Sequence, residues 1–125
     1  MIPVGTSARI YLFTQPTDMR KAFDGLSGEV RRLTDADPMS GSLFVFANRR
    51  RDLLKILCWD RHGFWLFCKR LEAGRFQIPE CPVEQGGAAW QVAYEQLLMI
   101  LEGIDLGARR RKRFSQETQG ISPPK

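Results

Sequence analysis

The chain has 125 residues and an ordinary apolar content, which is enough for one domain with a single hydrophobic core but not for two. It contains no run of 18 apolar residues, and it does not begin with a basic segment followed by an apolar one, so we expect a soluble, cytoplasmic protein without a membrane span. Its three cysteines are an odd number with no close pair, which fits a reducing compartment rather than a disulfide framework.

The formal charge of +5 is concentrated at the end of the chain. Residues 1–108 carry 13 basic and 13 acidic side chains, whereas residues 109–125 carry six basic side chains and one acidic one. We therefore predict a single domain over residues 1–106 and a basic tail over residues 107–125, which is expected to be disordered because it has little to bury. Such a tail can add affinity for phosphates but cannot by itself specify a nucleic-acid sequence.

The first quarter of the chain predicts a strand followed by an amphipathic helix. Residues 9–13 are Arg9 followed by an apolar and aromatic run, which is typical of a first strand. Thr17 is a candidate N-cap for a helix whose apolar residues recur at steps of three and four as far as Leu33. Gly25 and Gly28 interrupt this pattern, and we interpret them as positions where the helix approaches the sheet closely.

The middle of the chain predicts an antiparallel meander of four short strands. The strands are rich in Leu, Ile, Val, Phe and Trp, and short polar turns containing Gly, Asn or Asp separate them. The second and third strands are nearly continuous apolar runs, so we expect them in the middle of the sheet with both faces covered. The fourth alternates and ends at Pro79, as an edge strand would. The predicted strands are residues 42–47, 53–59, 64–69 and 75–78.

The remaining elements complete the prediction of the fold. Residues 89–92 are interpreted as a short extended segment, although a helix start would have a similar pattern. Residues 95–102 are interpreted as a helix that Gly103 terminates. The predicted fold class is α+β, with an antiparallel β-meander of four to six strands covered by an N-terminal amphipathic helix and a short C-terminal helix.

A zinc site is the first metal centre to consider. The three cysteines and the one histidine could supply four zinc ligands, but they lack the closely spaced pair of cysteines that is typical of structural zinc sites. If Trp59 pairs with Phe64 across a turn at residues 60–63, Cys58 and Cys68 also point to opposite faces of the hairpin. We therefore predict no metal site, buried cysteines and an exposed histidine in a turn. The residues considered are Cys58, His62, Cys68 and Cys81.

No catalytic motif is evident in the sequence. Nothing typical of a nucleophile and its base surrounds His62, and no glycine-rich phosphate loop is present. Asp18 and Asp24 leave open a small metal-dependent nuclease, in which paired carboxylates would hold a divalent cation. Each of them also has an ordinary role as a helix-start or surface residue. We predict no catalytic residues and no cofactor.

The candidate nucleic-acid-binding residues are basic side chains in one predicted hairpin turn and in the tail. If the turn and the tail lie on one side of the protein, they form a strip in which each guanidinium can hold two phosphate oxygens. A solvated turn and a solvated tail would explain the same residues equally well. The candidates are Arg49, Arg50, Arg51, Arg109, Arg110, Arg111, Lys112 and Arg113.

Several short motifs of the chain occur together in one known family. They include TDMRK at 17–21, FDGL at 23–26, LFVF at 43–46, RRRD at 49–52 and LEGID at 101–105. In this order they resemble the TnpB accessory proteins of the insertion-sequence sixty-six family, which are distinct from the RNA-guided nuclease that is also called TnpB. The chain departs from the family pattern at Tyr94, where a capping Thr is frequent, and after Asp105.

The resemblance implies a bacterial mobile-element protein that is encoded beside a larger transposase, which carries the strand-transfer chemistry. It implies a non-catalytic accessory protein required for DNA transposition, and we expect it to bind DNA at the element ends through the basic turn and tail and to cooperate with the transposase. An alternative is a protein–protein adaptor for the transposase that does not bind DNA and could form homo-oligomers through a sheet edge. A small nuclease is the third hypothesis.

Overall fold

The computed structural model describes residues 8–105. The predicted end of the domain at residue 106 and the whole of the predicted tail lie outside this range. The fold is α+β, as predicted, and a 3₁₀ turn at Val83–Gln85 separates the fifth and sixth strands. The elements are β1 (Ile10–Phe13), α1 (Phe23–Leu33), β2 (Leu43–Ala47), β3 (Leu53–Asp60), β4 (Gly63–Arg70), β5 (Arg75–Phe76), β6 (Ala89–Val92), α2 (Tyr94–Glu102) and β7 (Ile104–Asp105).

The main sheet has five strands in the order β4-β3-β2-β1-β6 and is mixed. β1 and β2 are parallel, because α1 crosses over between them, and the other neighbours are antiparallel. β2 lies at the centre, and all five of its side chains are buried. The predicted register of the β3–β4 hairpin is confirmed, since Trp59 pairs with Phe64.

The predicted four-stranded meander is correct for its first three strands, β2, β3 and β4, and wrong for its fourth. β5 has only two residues and pairs with β7, so it belongs to a separate two-stranded sheet. β4 was expected in the middle of the sheet, but it lies at the edge, where Trp65 is 51% exposed. The apolar run of β4 predicted two covered faces, but no residue of β4 is fully buried, because the strand has a neighbour on one side only.

The two helices cover opposite faces of the main sheet. Leu26 and Val30 of α1 pack with Phe44 on one face, whereas Leu97 of α2 packs with Val45 on the other. All five side chains are at most 1% exposed. Each contributes about 1.5–3 kcal/mol relative to an exposed side chain. The central strands are therefore buried on both faces, with α1 on one side and α2 on the other.

The predicted N-cap at Thr17 is wrong, because α1 begins only at Phe23. The side-chain nitrogen of Lys55, on β3, donates to the carbonyl oxygens of Met19 and Lys21 at 2.8 and 2.9 Å. In a helix that began at Thr17 these carbonyls would accept bonds from N–H groups four residues later. The tertiary contact replaces those bonds and holds the segment before α1 as a turn.

The predicted close approach of Gly25 and Gly28 to the sheet is also wrong. A Cβ atom added at Gly28 would meet nothing within 4 Å. At Gly25 the nearest atom is the Cβ of Lys21 at 2.9 Å, which belongs to the segment before the helix. Neither glycine is needed for contact between α1 and the sheet.

The C-terminal elements agree with the sequence pattern. β6 is extended, and α2 begins one residue before the predicted start. The side-chain oxygen of Gln96 accepts a hydrogen bond from the N–H of Ala93 at 2.7 Å. In this chain the Gln96 amide therefore satisfies the backbone N–H of the N-cap residue of α2. Gly103 follows the last turn of α2, and Ile104 then pairs with Phe76 in the two-stranded sheet.

Candidate nucleic-acid interface

The turn between β2 and β3 is held together by Asn48. Its side-chain nitrogen donates to the carboxylate of Asp52 at 2.7 Å, and its side-chain oxygen accepts the N–H groups of Asp52 and Leu53, each at 3.1 Å. Arg51 adopts a φ of 60°, the left-handed region that tight turns require. Local hydrogen bonds therefore fix the backbone that carries the three predicted arginines.

Two of these arginines share a cleft with an arginine from β5. The N–H of Phe76 donates to the carbonyl oxygen of Arg51 at 2.7 Å, which brings β5 against the turn. As a result, Arg49, Arg51 and Arg75 line one open cleft of about 820 Å³. Arg75 is not among the predicted site residues, and the structure brings it beside Arg49 and Arg51.

The third arginine of the turn points elsewhere. The side chain of Arg50 is 83% exposed and does not line the cleft. Its Nε lies 3.9 Å from the nearer carboxylate oxygen of Asp52. The structure thus divides the predicted Arg49–Arg51 cluster into two cleft residues and one solvent-facing residue.

The opposite wall of the cleft comes from α2 and from the segment after β5. It combines apolar side chains with two amides and one carboxylate, so the described lining carries three positive charges and one negative charge. Such a wall can contact the apolar parts of a ligand while the guanidinium groups hold its anionic part. The lining residues on this side are Phe76, Gln77, Ile78, Pro79, Glu95, Gln96, Met99 and Ile100.

A second, smaller cavity of about 200 Å³ adjoins the cleft. It lies where β1 and β2 end and is lined by the segment from Phe13 to Pro16 together with Asn48. Arg49, Arg51 and Ile78 line both cavities. The two arginines therefore stand at the junction of a longer depression that runs along one end of the main sheet.

The carboxylate of Asp52 has a pKa below its usual value. The hydrogen bond from Asn48 is the largest cause, and the nearby charges of Arg50 and Arg70 act in the same direction. Asp52 is therefore ionised at neutral pH and balances part of the charge of Arg50. Within residues 8–105, no ion pair involves Arg49 or Arg51.

The described chain ends beside the same cleft. Asp105, the last described residue, is paired with Arg75 in the β5–β7 sheet. The tail candidates Arg109, Arg110, Arg111, Lys112 and Arg113 lie outside the described residues.

The cysteines and the histidine are dispersed, as the register predicts. Cys58 is opposite Trp65 and Cys68 is opposite Lys55, so the two cysteines lie on opposite faces of the hairpin. Burial raises the pKa of Cys58, whereas Cys68 is exposed, and the prediction that it would be buried is wrong. Across residues 8–105, no three His, Cys, Asp or Glu side chains are grouped so as to hold a metal ion.

The carboxylates of the nuclease hypothesis have local roles. The guanidinium of Arg20 binds Asp18, with Nη2 at 2.7 Å from Oδ2, and this hydrogen bond lowers the pKa of Asp18. Asp24 lies in the first turn of α1, where a carboxylate suits the helix dipole. His62 is exposed in the β3–β4 turn, as predicted.

No helix in the described range is both long and apolar enough to cross a bilayer.

Sequence reasoning missed two residues of the site. Asn48 could have been found, because an Asn and an Asp that flank a three-residue turn often bond to each other and to the backbone between them. Arg75 could not, because its position depends on the pairing of β5 with β7, and the two strands are separated by 27 residues in the chain.

Comparisons with known proteins give one family model and two relatives that each cover most of the chain. A family model described as "IS66 Orf2 like protein" matches residues 8–111. "Uncharacterized protein y4hO" of Sinorhizobium fredii is 40% identical over 105 residues, which are 84% of this chain and 88% of the relative. "Uncharacterized protein y4jC" of the same organism is 35% identical over 119 residues, or 95% of this chain and 98% of the relative. No solved structure matches.

Proposed function

The chain belongs to the family of IS66 Orf2-like proteins, a family associated with transposition, and on this basis we propose that it is a non-catalytic accessory protein of DNA transposition. In this proposal it binds DNA through Arg49, Arg50, Arg51 and the basic run at 109–113, and it cooperates with the transposase of the same element. The partners are the DNA at the element ends and the transposase.

The observation that carries the proposal is the convergence of Arg49, Arg51 and Arg75 on one open cleft. One guanidinium group can bind two oxygens of a phosphate at once. Phosphate contacts supply most of the affinity and orientation in protein–DNA complexes. The turn that carries two of the arginines is held by the hydrogen bonds of Asn48, so little conformational entropy is lost when it binds.

The path of the chain supports a joint role for the turn and the tail. Asp105 pairs with Arg75 at the edge of the cleft, and Arg109 follows four residues later. Four residues of extended chain span at most about 14 Å, and under this proposal the basic run therefore binds the same stretch of DNA as the arginine cleft. Both sets of charges can then contact neighbouring phosphates of one duplex.

A salt series with matched variants tests the DNA contact. We would measure fluorescence anisotropy of the full chain with element-end and scrambled duplexes. Arg49→Gln should weaken binding and reduce the slope of log affinity against log salt by about one for each phosphate that the protein no longer neutralises. Arg9→Gln is the control, because Arg9 precedes β1 at the opposite end of the parallel β1–β2 pair and carries the same charge.

The tail is tested by exchanging the five basic residues at 109–113 for Gln in the full chain. The proposal expects lower affinity and a smaller salt slope, with any preference for the element end retained by the folded part. Equal weakening by Arg9→Gln and Arg49→Gln would show that net charge alone is responsible. Unchanged affinity in both the Arg49→Gln and the tail variant would overturn the proposed DNA contact.

The adaptor is a second candidate, and the exposed face of α2 favours it. Tyr94 and Leu98 lie one turn apart and are 49% and 37% exposed, and the adjacent Met99 is 66% exposed. Apolar side chains grouped in this way often mark a protein-binding surface. Under this proposal, exchanging Tyr94 and Leu98 for Ser abolishes binding to the transposase and leaves DNA binding intact. Retained binding to the transposase would remove this candidate.

A further inference from the structure

The outer edge of β4 presents unpaired backbone groups over most of its length in the described structure. β4 pairs with β3 alone, over an uninterrupted register from Leu53–Arg70 to Asp60–Gly63. The N–H of Leu71 donates to the carbonyl oxygen of Asp52 at 2.8 Å. Because directions alternate along a strand, the odd-numbered residues of β4 face β3, and the N–H and C=O groups of residues 64, 66 and 68 point outwards.

One face of the same edge carries a stacked aromatic pair, in which Trp65 is exposed and Phe67 is partly buried. The rings of Trp65 and Phe67 stack with a centroid distance of 5.8 Å and an interplanar angle of 14°. The indole nitrogen of Trp65 donates to a carboxylate oxygen of Asp60 at 3.2 Å, which orients the ring. Trp65 is nevertheless 51% exposed, so much of the aromatic surface is not covered by the described chain.

β4 lacks the features that usually protect an edge strand. Edges are commonly kept short or interrupted by Pro, a bulge or a central charge. The opposite edge of the sheet, β6, has four residues, whereas β4 has eight. Residues 64–68 contain no proline and no charged side chain, and the continuous register with β3 leaves no room for a bulge.

We propose that β4 pairs antiparallel with β4 of a second copy of this chain. The two-fold axis passes between the Leu66 residues of the two copies. The two five-stranded sheets then form one continuous sheet. The axis is perpendicular to the sheet, so each copy contributes the same face to the same side. This assembly is independent of the proposed DNA contact, because neither Arg49 nor Arg51 belongs to the joining strand.

The register follows from the side chains of the strand itself. With the axis at Leu66, Trp65 of each copy lies opposite Phe67 of the other, so the interface contains two such aromatic pairs. Both pairs are at positions without backbone hydrogen bonds, where side chains come closest. Phe64 then lies opposite Cys68, with backbone bonds from both. An axis at Phe67 would instead place Trp65 opposite Lys69 and replace the two Trp65–Phe67 pairs with a single pair of Phe67 side chains.

The charges are compatible with this register. No two charged side chains lie opposite each other between residues 63 and 69, since Lys69 faces Gly63 of the second copy. The side-chain nitrogen of Lys69 also donates to the carbonyl oxygen of Leu101 at 2.9 Å in its own chain, so it is directed along the sheet face toward α2. A small interface of this kind is expected to dissociate at micromolar concentrations.

The test removes one outward N–H group without disturbing the fold. Cys68→Pro deletes an N–H that β3 does not use, at an edge position where proline is tolerated. Cys68→Ala is the matched control, because it makes a similar change to the exposed side chain and keeps the N–H. Molar mass by light scattering and by sedimentation would be measured for the full chain from about 1 to about 500 µM, the range in which small interfaces dissociate.

The proposal expects a dimer for the native chain and for Cys68→Ala, and a dissociation constant at least tenfold higher for Cys68→Pro. Circular dichroism of each variant reports whether it is folded. Trp65→Thr, which keeps a residue favourable in strands, should also raise the dissociation constant at least tenfold. A native chain that stays monomeric throughout, or a dimer that folded Cys68→Pro and Trp65→Thr leave unchanged, would overturn the proposal.

Discussion

The side-chain nitrogen of Lys55 lies 2.8 Å from the carbonyl oxygen of Met19. A lysine in the middle of the sheet therefore binds the backbone of the segment that precedes the first helix. The same nitrogen bonds the carbonyl oxygen of Lys21, so α1 starts after this segment and not at Thr17. This contact joins two parts of the chain that are more than 30 residues apart.

Replacing Lys55 with Met should destabilise the protein, because the stem is kept while two partly buried carbonyls are left without their donor. Hydrogen bonds from charged groups contribute about 1.5–3 kcal/mol each, so the loss of two should lower the free energy of unfolding by at least about 3 kcal/mol. Urea denaturation measures the change. Lys69→Met is the control, since Lys69 bonds one carbonyl at an exposed position, and an equal decrease in both variants would contradict the prediction.

The lowered pKa of Asp52 makes a prediction about pH. Because its pKa in the folded state is below the unfolded value of about 4, Asp52 stabilises the fold above that value, and this stabilisation is lost as the pH falls through the folded pKa. Asn48→Ala removes the largest cause, so the carboxyl pKa should rise toward its ordinary value and acid unfolding should begin at a higher pH. Carboxyl carbon shifts in an NMR titration report the pKa directly.

Arg50→Gln provides the comparison for that titration. Its charge is a smaller cause of the same pKa shift than the hydrogen bond from Asn48. The pKa of Asp52 should therefore rise less in Arg50→Gln than in Asn48→Ala. The reverse order would show that the turn is held mainly by charge and not by the Asn48 hydrogen bonds.

Two adjacent leucines of α2 should differ sharply in their contribution to stability. Leu97 is 1% exposed and packs against the sheet, whereas Leu98 is 37% exposed. Leu97→Ala leaves a cavity and should lower the free energy of unfolding by about 2–5 kcal/mol. Leu98→Ala should change it by no more than about 0.5 kcal/mol. Thermal or urea unfolding distinguishes these values, and a large decrease in Leu98→Ala would mean that its surface is covered in solution.

Gly28→Ala should stabilise the protein by about 0.5–1 kcal/mol, because alanine restricts the unfolded chain and is the better helix former. The added methyl group would meet nothing within 4 Å. Gly25→Ala makes the same chemical change in the same helix, but its Cβ would lie 2.9 Å from the Cβ of Lys21, so little or no gain is expected. Denaturation midpoints that moved equally in the two variants would argue against this difference.

The turn that carries the candidate site could be predicted from the sequence, but which arginines line the cleft could not. The Arg49–Arg51 turn is visible because it is local: strand patterns flank it, and polar residues with turn propensity form it. The separation of Arg50 from the cleft, and the arrival of Arg75, are not visible. The position of Arg75 depends on the hydrogen bond of Phe76 to the turn and on the pairing of β5 with β7, which join residues that are distant in the chain.

The elements that depend on neighbouring residues could be predicted without the fold. Strands β1 to β4, the helical periodicity of α1, the end of α2 at Gly103 and the Trp59–Phe64 register all follow from periods of two or 3.6 and from turn chemistry. These signals act within a few residues, so the sequence carries them whatever the rest of the chain does.

The tertiary structure was needed to show which strands are neighbours, where α1 begins and which arginines meet. An apolar run can occur in an exposed edge strand as well as in a central one, so β4 looked central although it lies at the edge and has no fully buried residue. The bonds from Lys55 to the segment before α1, and the pairing of Arg75 with Asp105, join residues that are distant in the chain. Such contacts form because the whole chain must bury its apolar surface and satisfy its backbone together.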